Sequence, residues 1–324
     1  MNLLLPKAYI SQAAADIRRA TVRVNLISMV IADHDETHEL IAEIEAAAQR
    51  GVAVTVSADI FTYGEVSGSF LPIKYYSKNA KLATHMAKKL RAAGVKFQWL
   101  GRARLTIFNG RTHSKWCVVD NTVYTFGGVN MYEKGVDNVD YMFRQVNKRL
   151  ADRLVYEQGR ITKAERTATN YPSVAYELDE ETVLIDGGIV TQSVIYRRAC
   201  ELALEAKSVV FVSQYCPTGK LARILKRRDT NFYFNRPEMA DTINAMFLRL
   251  NTLLSRIKTH YKRSVYLHAK FIIFTMHDGS KVAITGSHNF AYTGVLFGTR
   301  EIALETKDPN VISQLESFYE TYIA

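Results

Sequence analysis

Residues 113–130 read His113-Ser114-Lys115-Trp116-Cys117-Val118-Val119-Asp120-Asn121-Thr122-Val123-Tyr124-Thr125-Phe126-Gly127-Gly128-Val129-Asn130. The scheme returns later in the chain. His268-Ala269-Lys270 opens the apolar run Phe271 to Phe274, Lys281 to Thr285 forms a second run, and Gly286-Ser287-His288-Asn289 closes the unit. Each copy is two short runs rich in β-branched and aromatic residues joined by a turn, which predicts a pair of β-strands.

The rest of the chain has an α/β grammar around these copies. In the first half, Ser11 to Ala20 is predicted helical and Thr21 to Ile31 a buried strand. Glu36 to Arg50 is a helix with Leu40, Ile41, Ile44 and Ala48 on one face, ended by Gly51. Val52 to Ala58 is a strand, Lys78 to Ala93 a second amphipathic helix closed by Gly94, and Val95 to Trp99 a further strand. The second half starts again with a helix over Val190 to Ala206, a strand over Ser208 to Ser213, a short helix over Leu221 to Arg227 and a long one over Pro237 to Ile257. Val24-Asn25-Leu26-Ile27-Ser28 and Val209-Val210-Phe211-Val212-Ser213 are matching strands. A repeat of this length points to a duplicated domain rather than a solenoid. The mixed polar segment from about Asn147 to Asp186, with its acidic run Glu177 to Glu181, reads as the connection. The halves are set at 1–165 and 166–324.

At 324 residues, 48% hydrophobic and 23% charged, the chain fits a folded globular protein and excludes disordered, collagenous and disulfide-scaffold classes. Lys+Arg is 42 against 32 Asp+Glu, a formal net charge of +10, which favours anionic partners: nucleic acid, an acidic lipid surface or phosphorylated substrates. Cys117, Cys200 and Cys216 show no ligand spacing and fit buried free thiols in a reducing compartment. Leu3-Leu4-Leu5 before Pro6 is too short for a signal peptide's apolar core, and no stretch is long enough to cross a bilayer. A cytoplasmic protein is expected, able to lie on the inner face of a membrane, although no amphipathic anchor stands out.

In a strand, residues two apart share a face, so His113 and Lys115 project together, as do His268 and Lys270. Asn130 and Asn289 can set amide donors beside them. An imidazole, an ammonium and an amide suit a phosphate: Lys and Asn hold its oxygens, and His attacks phosphorus or carries a proton. Two such sets face to face place one histidine on each side of a phosphodiester. One forms a phosphohistidine, and the other protonates the departing alkoxide and then deprotonates water or an alcohol. Two lysines and two asparagines neutralise the charge, so no metal and no cofactor are expected. Ser287 is a further candidate donor to phosphate. Cys117 has the parity of His113 and Lys115 but reads as a packed apolar group. His277 and His288 read as bystanders.

The pattern His-x-Lys-x4-Asp-x6-Gly-[Gly/Ser]-x-Asn resembles the signature of the phospholipase D superfamily, and His113 to Asn130 matches it at every fixed position. The second copy departs: Thr275 stands where Asp120 stands in the first, and a longer turn, His277-Asp278-Gly279-Ser280, delays Asn289. The resemblance implies two pseudo-symmetric halves, each a mixed β-sheet flanked by helices, with the active site at their interface, so that a monomer suffices. It implies a structural role for Asp120 and a carboxylate downstream of each motif, Asp140 and Glu301, orienting the active histidine. It also implies His113 as nucleophile and His268 as general acid. Two full motifs in one chain, with Asp137 and Asp140 following the first, resemble the phosphatidylserine and cardiolipin synthase branch.

The function expected is therefore a phosphodiesterase or phosphatidyltransferase acting on phospholipids, with peripheral contact to an anionic membrane. The alternative is a metal-independent nuclease of the same superfamily, favoured by the charge and by two aromatic-basic stretches. One runs from Phe61-Thr62-Tyr63-Gly64 to Tyr75-Tyr76, a loop suited to line a cleft. The other joins Lys226-Arg227-Arg228 to Phe232-Tyr233-Phe234, which also fits a basic helix end before a buried strand. A non-catalytic phosphate-binding module is opposed by intact His and Lys in both motifs.

Overall fold

A computed structural model describes residues 1–67, 77–101, 110–240 and 242–324. The first half runs β1 (Asn2–Leu4), α1 (Pro6–Arg19), β2 (Arg23–Ser28), α2 (Asp35–Gln49), β3 (Ala53–Asp59), α3 (Phe61–Glu65), α4 (Lys78–Ala92), β4 (Lys96–Leu100), β5 (Trp116–Val119), β6 (Thr122–Thr125), α5 (Glu133–Asp137) and β7 (Met142–Val146). The 20-residue helix α6 (Lys148–Thr167) leads to β8 (Val174–Leu178), β9 (Glu181–Ile185), α7 (Val194–Glu205), β10 (Ala206–Val212), α8 (Gly219–Leu225), β11 (Asp229–Tyr233), α9 (Thr242–Ser255), β12 (Phe271–Met276), β13 (Lys281–Gly286), α10 (Tyr292–Phe297), β14 (Ile302–Thr306) and α11 (Pro309–Tyr322).

The strands form two seven-stranded mixed sheets, ordered β1-β7-β6-β5-β2-β3-β4 and β11-β10-β12-β13-β14-β9-β8. β2 and β10 hold equivalent places. β2 lies parallel to β3 and antiparallel to β5, with Val24 opposite Val119 and Ile27 opposite Trp116. β10 lies parallel to β11 and antiparallel to β12, with Val209 opposite Phe274 and Val212 opposite Phe271. Val119 and Phe274 are each six residues past their motif histidine, so the two halves share one register.

Alternation along these strands builds the apolar layers. Cys117 and Val119 face the cluster under α1, α2 and α4, while Trp116 and Val118 face a central core between the sheets. On β12, Phe271 and Ile273 join that central core, and Ile272 and Phe274 pack under α7 and α8. Cys117 is thus a core residue, and all three cysteines are free and buried.

The connection is more structured than its polarity predicts. α6 spans most of its first part and β8–β9 is a hairpin belonging to the second sheet. The polar look of α6 misleads because its inner face buries Glu157, Gln158 and Glu165 beside Leu150, Leu154 and Ile161. Arg153 and Arg160 pair with Glu157, and Gln158 donates to Leu26 O and Ser57 Oγ. The long helix expected over Pro237 to Ile257 divides into a single 3-10 turn at Pro237–Met239 and then α9. In the second aromatic-basic stretch, Phe232, Tyr233 and Phe234 are buried, which is the basic-helix-end arrangement. Of the first stretch, residues 68–76, Tyr75 and Tyr76 among them, lie outside the described residues.

Candidate active site

Both motif histidines stand just before an equivalent strand, His113 before β5 and His268 before β12. Their neighbours cross between halves. Thr112 bridges Arg300, and Val139 bridges Leu267. His113 N donates to Arg300 O at 2.8 Å, and His268 N donates to Val139 O at 2.9 Å. These two crossings carry the acid of each half to the histidine of the other. His113 Nδ1 lies 2.9 Å from Glu301 Oε2, and His268 Nδ1 lies 2.7 Å from Asp140 Oδ2. Each acid follows its own motif in sequence but serves the opposite histidine, because the residue before it, Val139 or Arg300, bridges to the partner half just ahead of β7 or β14.

With Nδ1 committed to a carboxylate, Nε2 is the ring nitrogen left for chemistry. Both histidines line one cavity of about 520 Å³, together with Asn130, Asn289 and Glu301. The carboxamide oxygens of Asn130 and Asn289 are buried without a hydrogen-bond partner. Buried amides are normally satisfied, so two with unpartnered oxygens in one cleft mark a polar ligand site, where the amide N–H groups, not the orphaned oxygens, would meet a phosphate. Lys115 and Lys270 are buried, and each donates to the backbone carbonyl of its own motif histidine, at 2.8 Å in the Lys115–His113 case. Each ammonium keeps two further N–H donors.

Burial dominates the protonation states. It pushes Lys115 down to about 8 against the pull of Glu301 and Asp140. Lys270 falls to about 7 through burial, with Lys115 adding to the fall. His268 drops to about 3, from burial first and then the charge of Lys270, with Asp140 opposing. His113 is lowered by burial and Lys115 against the pull of Glu301. Burial alone would raise the two carboxyls, but His268 and Lys270 hold Asp140 below its usual range, and His113, His288 and Lys115 do the same for Glu301.

The glycine pairs have a steric cause. A Cβ on Gly127 would sit 1.8 Å from Tyr141 O, and one on Gly286 would sit 2.2 Å from Ile302 O. The strand bearing each acid passes too close for any side chain. At the next position the halves differ. Gly128 donates its N–H to Asp140 Oδ1, whereas Ser287 donates its hydroxyl to Glu301 Oε2. Ser287, Lys115 and Lys270 are all fully buried and stand behind the residues that line the cavity; the Ser287 hydroxyl is spent on Glu301, whereas each lysine keeps N–H donors to spare.

Asp120 lies far from the cavity in a turn of positive φ and accepts from the backbone N–H groups of Thr21, Val22 and Arg23, tying β5 to the start of β2. In the second half, Thr275 sits within β12 with no such clasp. Arg111 and His288 also line the cavity. Arg111 pairs with the buried Asp59 at 2.8 Å. The Nδ1 of His288 accepts from Phe290 N, and burial, with His113 nearby, pushes its imidazole down to about 4 against Glu301. His288 is therefore part of the site, not a bystander. The parity of Arg111 with His113 and Lys115 was the available sign for that residue.

Comparison with known proteins agrees with this geometry. Residues 14–158 match the family described as cardiolipin synthase, PLD-like domain. The phosphatidylserine synthase of Haemophilus influenzae Rd KW20 superposes with a TM-score of 0.74 at 14% identity, covering 98% of this chain and 85% of that one. The polyphosphate kinase of Porphyromonas gingivalis superposes with a TM-score of 0.64 at 12% identity, covering 98% of this chain and 49% of that one. Among curated protein sequences, none matches. Residues 14–158 thus match a phospholipase D-like domain, and the whole chain shares its two-sheet fold with the phosphatidylserine synthase of Haemophilus influenzae Rd KW20.

Proposed function

We propose that the protein is a phospholipid phosphodiesterase or phosphatidyltransferase working through a phosphohistidine. One observation carries the reading: two imidazoles, each held at Nδ1 by a buried carboxylate from the opposite half, line a single cavity. In the first step the Nε2 lone pair of neutral His113 attacks phosphorus. The P–O bond to the leaving group breaks, and protonated His268 gives its proton to the departing alkoxide. In the second step neutral His268 takes a proton from water or an alcohol. That oxygen attacks phosphorus, the P–N bond breaks, and His113 is released. A bound phosphodiester anion brings negative charge beside His268, which raises its proton affinity from the depressed value of the open cleft.

Lys115, Lys270, Asn130 and Asn289 hold the non-bridging oxygens and offset their charge, the work a metal would otherwise do. Asp140 and Glu301 fix the tautomer of each imidazole and steady an imidazolium. They are positioning residues, as is Ser287 through Glu301.

The test uses a short-chain phosphatidylglycerol with ethanol and chelator present, read by lipid analysis and by mass spectrometry of the acid-labile adduct, kept out of acid throughout. Phosphatidylethanol in EDTA and a phosphatidyl adduct on the His113 peptide are expected. Inert lipid with cutting of single- or double-stranded nucleic acid would move the protein to the nuclease reading. Inertness towards both would leave a binding module.

A further inference from the structure

We propose that the exposed face of α9 seats the protein on an anionic phospholipid bilayer, with the mouth of the catalytic cleft turned to the lipid. α9 buries a mixed face and exposes an apolar one. Ala245, Leu248, Asn251 and Ser255 are buried against the second half, and Ser255 Oγ contacts Cys216 Sγ at 3.0 Å. The opposite face carries Met246, Leu250, Leu253 and Leu254, which are 59%, 48%, 73% and 71% exposed. Their spacing places them within one 100°-wide stripe. Scattered exposed apolar residues are ordinary, but four on one helical stripe are not.

Two further observations choose the occupant. Residues 242–265 contain Arg249, Arg256, Lys258, Lys262 and Arg263 and no Asp or Glu, and all five cations are exposed. An apolar stripe with five cations within and after its helix complements the boundary between anionic headgroups and acyl chains. The helix that carries the stripe also adjoins the cleft. Asn251, on the inner side of α9, lines the cavity, as do Met239 just before the helix and Val265 beyond it, the last 46% exposed. The amphipathic character is inconspicuous in the sequence because the buried face mixes Ala245 and Leu248 with Asn251 and Ser255, so the apolar stripe is the side turned outward.

The use of such a surface rests on the phospholipid reading, and the experiment separates the two. Sedimentation with vesicles of phosphatidylglycerol and phosphatidylcholine is compared with pure phosphatidylcholine, for the full chain and for the double variant Leu253→Glu/Leu254→Glu. Turnover of the soluble diester bis(4-nitrophenyl) phosphate is measured alongside, since neither leucine belongs to the catalytic machinery. The unaltered chain should pellet with the anionic vesicles and release at high salt. The double variant should bind them about tenfold more weakly or worse while hydrolysing the soluble diester unchanged. Equal binding by both chains, or an unaltered chain that stays in the supernatant, overturns the inference. So does a dimer in light scattering that the variant converts to monomer, or nucleic-acid binding that the variant alone weakens. Vesicle binding without diester turnover would support this surface and sink the functional reading.

Discussion

Glu301 and His113 belong to opposite halves of the chain, yet Oε2 of one and Nδ1 of the other stand 2.9 Å apart in a buried contact. The reciprocal pair, Asp140 and His268, is 2.7 Å apart. Neither half therefore holds a complete histidine–carboxylate unit.

The crossed pairing predicts which step each acid supports. Glu301→Gln removes the acceptor that fixes the tautomer of His113, so formation of the covalent adduct should slow by on the order of 10²–10⁴. Asp140→Asn acts on His268, so proton transfer to the leaving group and activation of water should suffer, while His113 remains the labelled residue. Rapid-quench labelling with a diester bearing a good leaving group separates them, because such a group needs little protonation. Fast adduct formation in Glu301→Gln, with slow formation in Asp140→Asn, would reverse the assignment.

Ser287 gives a graded version of the same experiment. Its hydroxyl donates to Glu301 and its oxygen accepts from Ile302 N at 3.0 Å. Ser287→Ala removes one donor to a buried carboxylate, which costs about 1.5–3 kcal/mol. Urea unfolding should register that loss. The rate of adduct formation should fall less than in Glu301→Gln, because the carboxylate itself remains. A variant as stable as the parent would show that Glu301 is held by other contacts.

The duplicated motif was legible because its chemistry and its strand geometry share the same residues. His113, Lys115 and Asn130 recur as His268, Lys270 and Asn289, and the equivalence of β2 with β10 follows from matched apolar runs. The crossing of Asp140 and Glu301 was not legible. It depends on Thr112 meeting Arg300 and Val139 meeting Leu267, contacts between segments far apart in the chain. The helix α6 was hidden for a different reason: its buried face carries Glu157, Gln158 and Glu165 in ion pairs and hydrogen bonds, so its periodicity in hydrophobicity is diluted.

The same burial sets the response to acid. His268 has a folded value of about 3 against an ordinary 6.5, so between those limits the unfolded chain takes up a proton that the folded chain refuses. His113 is lowered as well. The stability they permit is whole above pH 6.5 and declines as the pH falls towards 3. Asp140 and Glu301 have folded values below the unfolded ones, so their contribution is also lost on the acid side. The buried carboxyls of Asp186 and Asp59, raised to about 7 and about 6, oppose this decline, so its histidine part is read as the difference in melting temperature between the parent and a histidine variant from pH 6.5 downwards. His268→Gln should flatten part of that decline. A variant profile parallel to the parent's would assign the acid sensitivity to groups elsewhere.

The lysines predict proton uptake on ligand binding. Lys270 at about 7 and Lys115 at about 8 are partly neutral in the open cleft just above neutral pH. An anion among the four basic groups favours their charged forms and lifts both values, and that of His268 with them. Calorimetric titration with inorganic phosphate at pH 7.5, repeated in buffers of different ionisation enthalpy, should report net uptake of about one proton per site. Lys270→Met removes the more neutral of the two lysines and should cut that uptake by about three-quarters, besides weakening affinity. Uptake that is zero in the parent protein would mean that both lysines already carry their full charge in the open cleft, and that burial does not depress them.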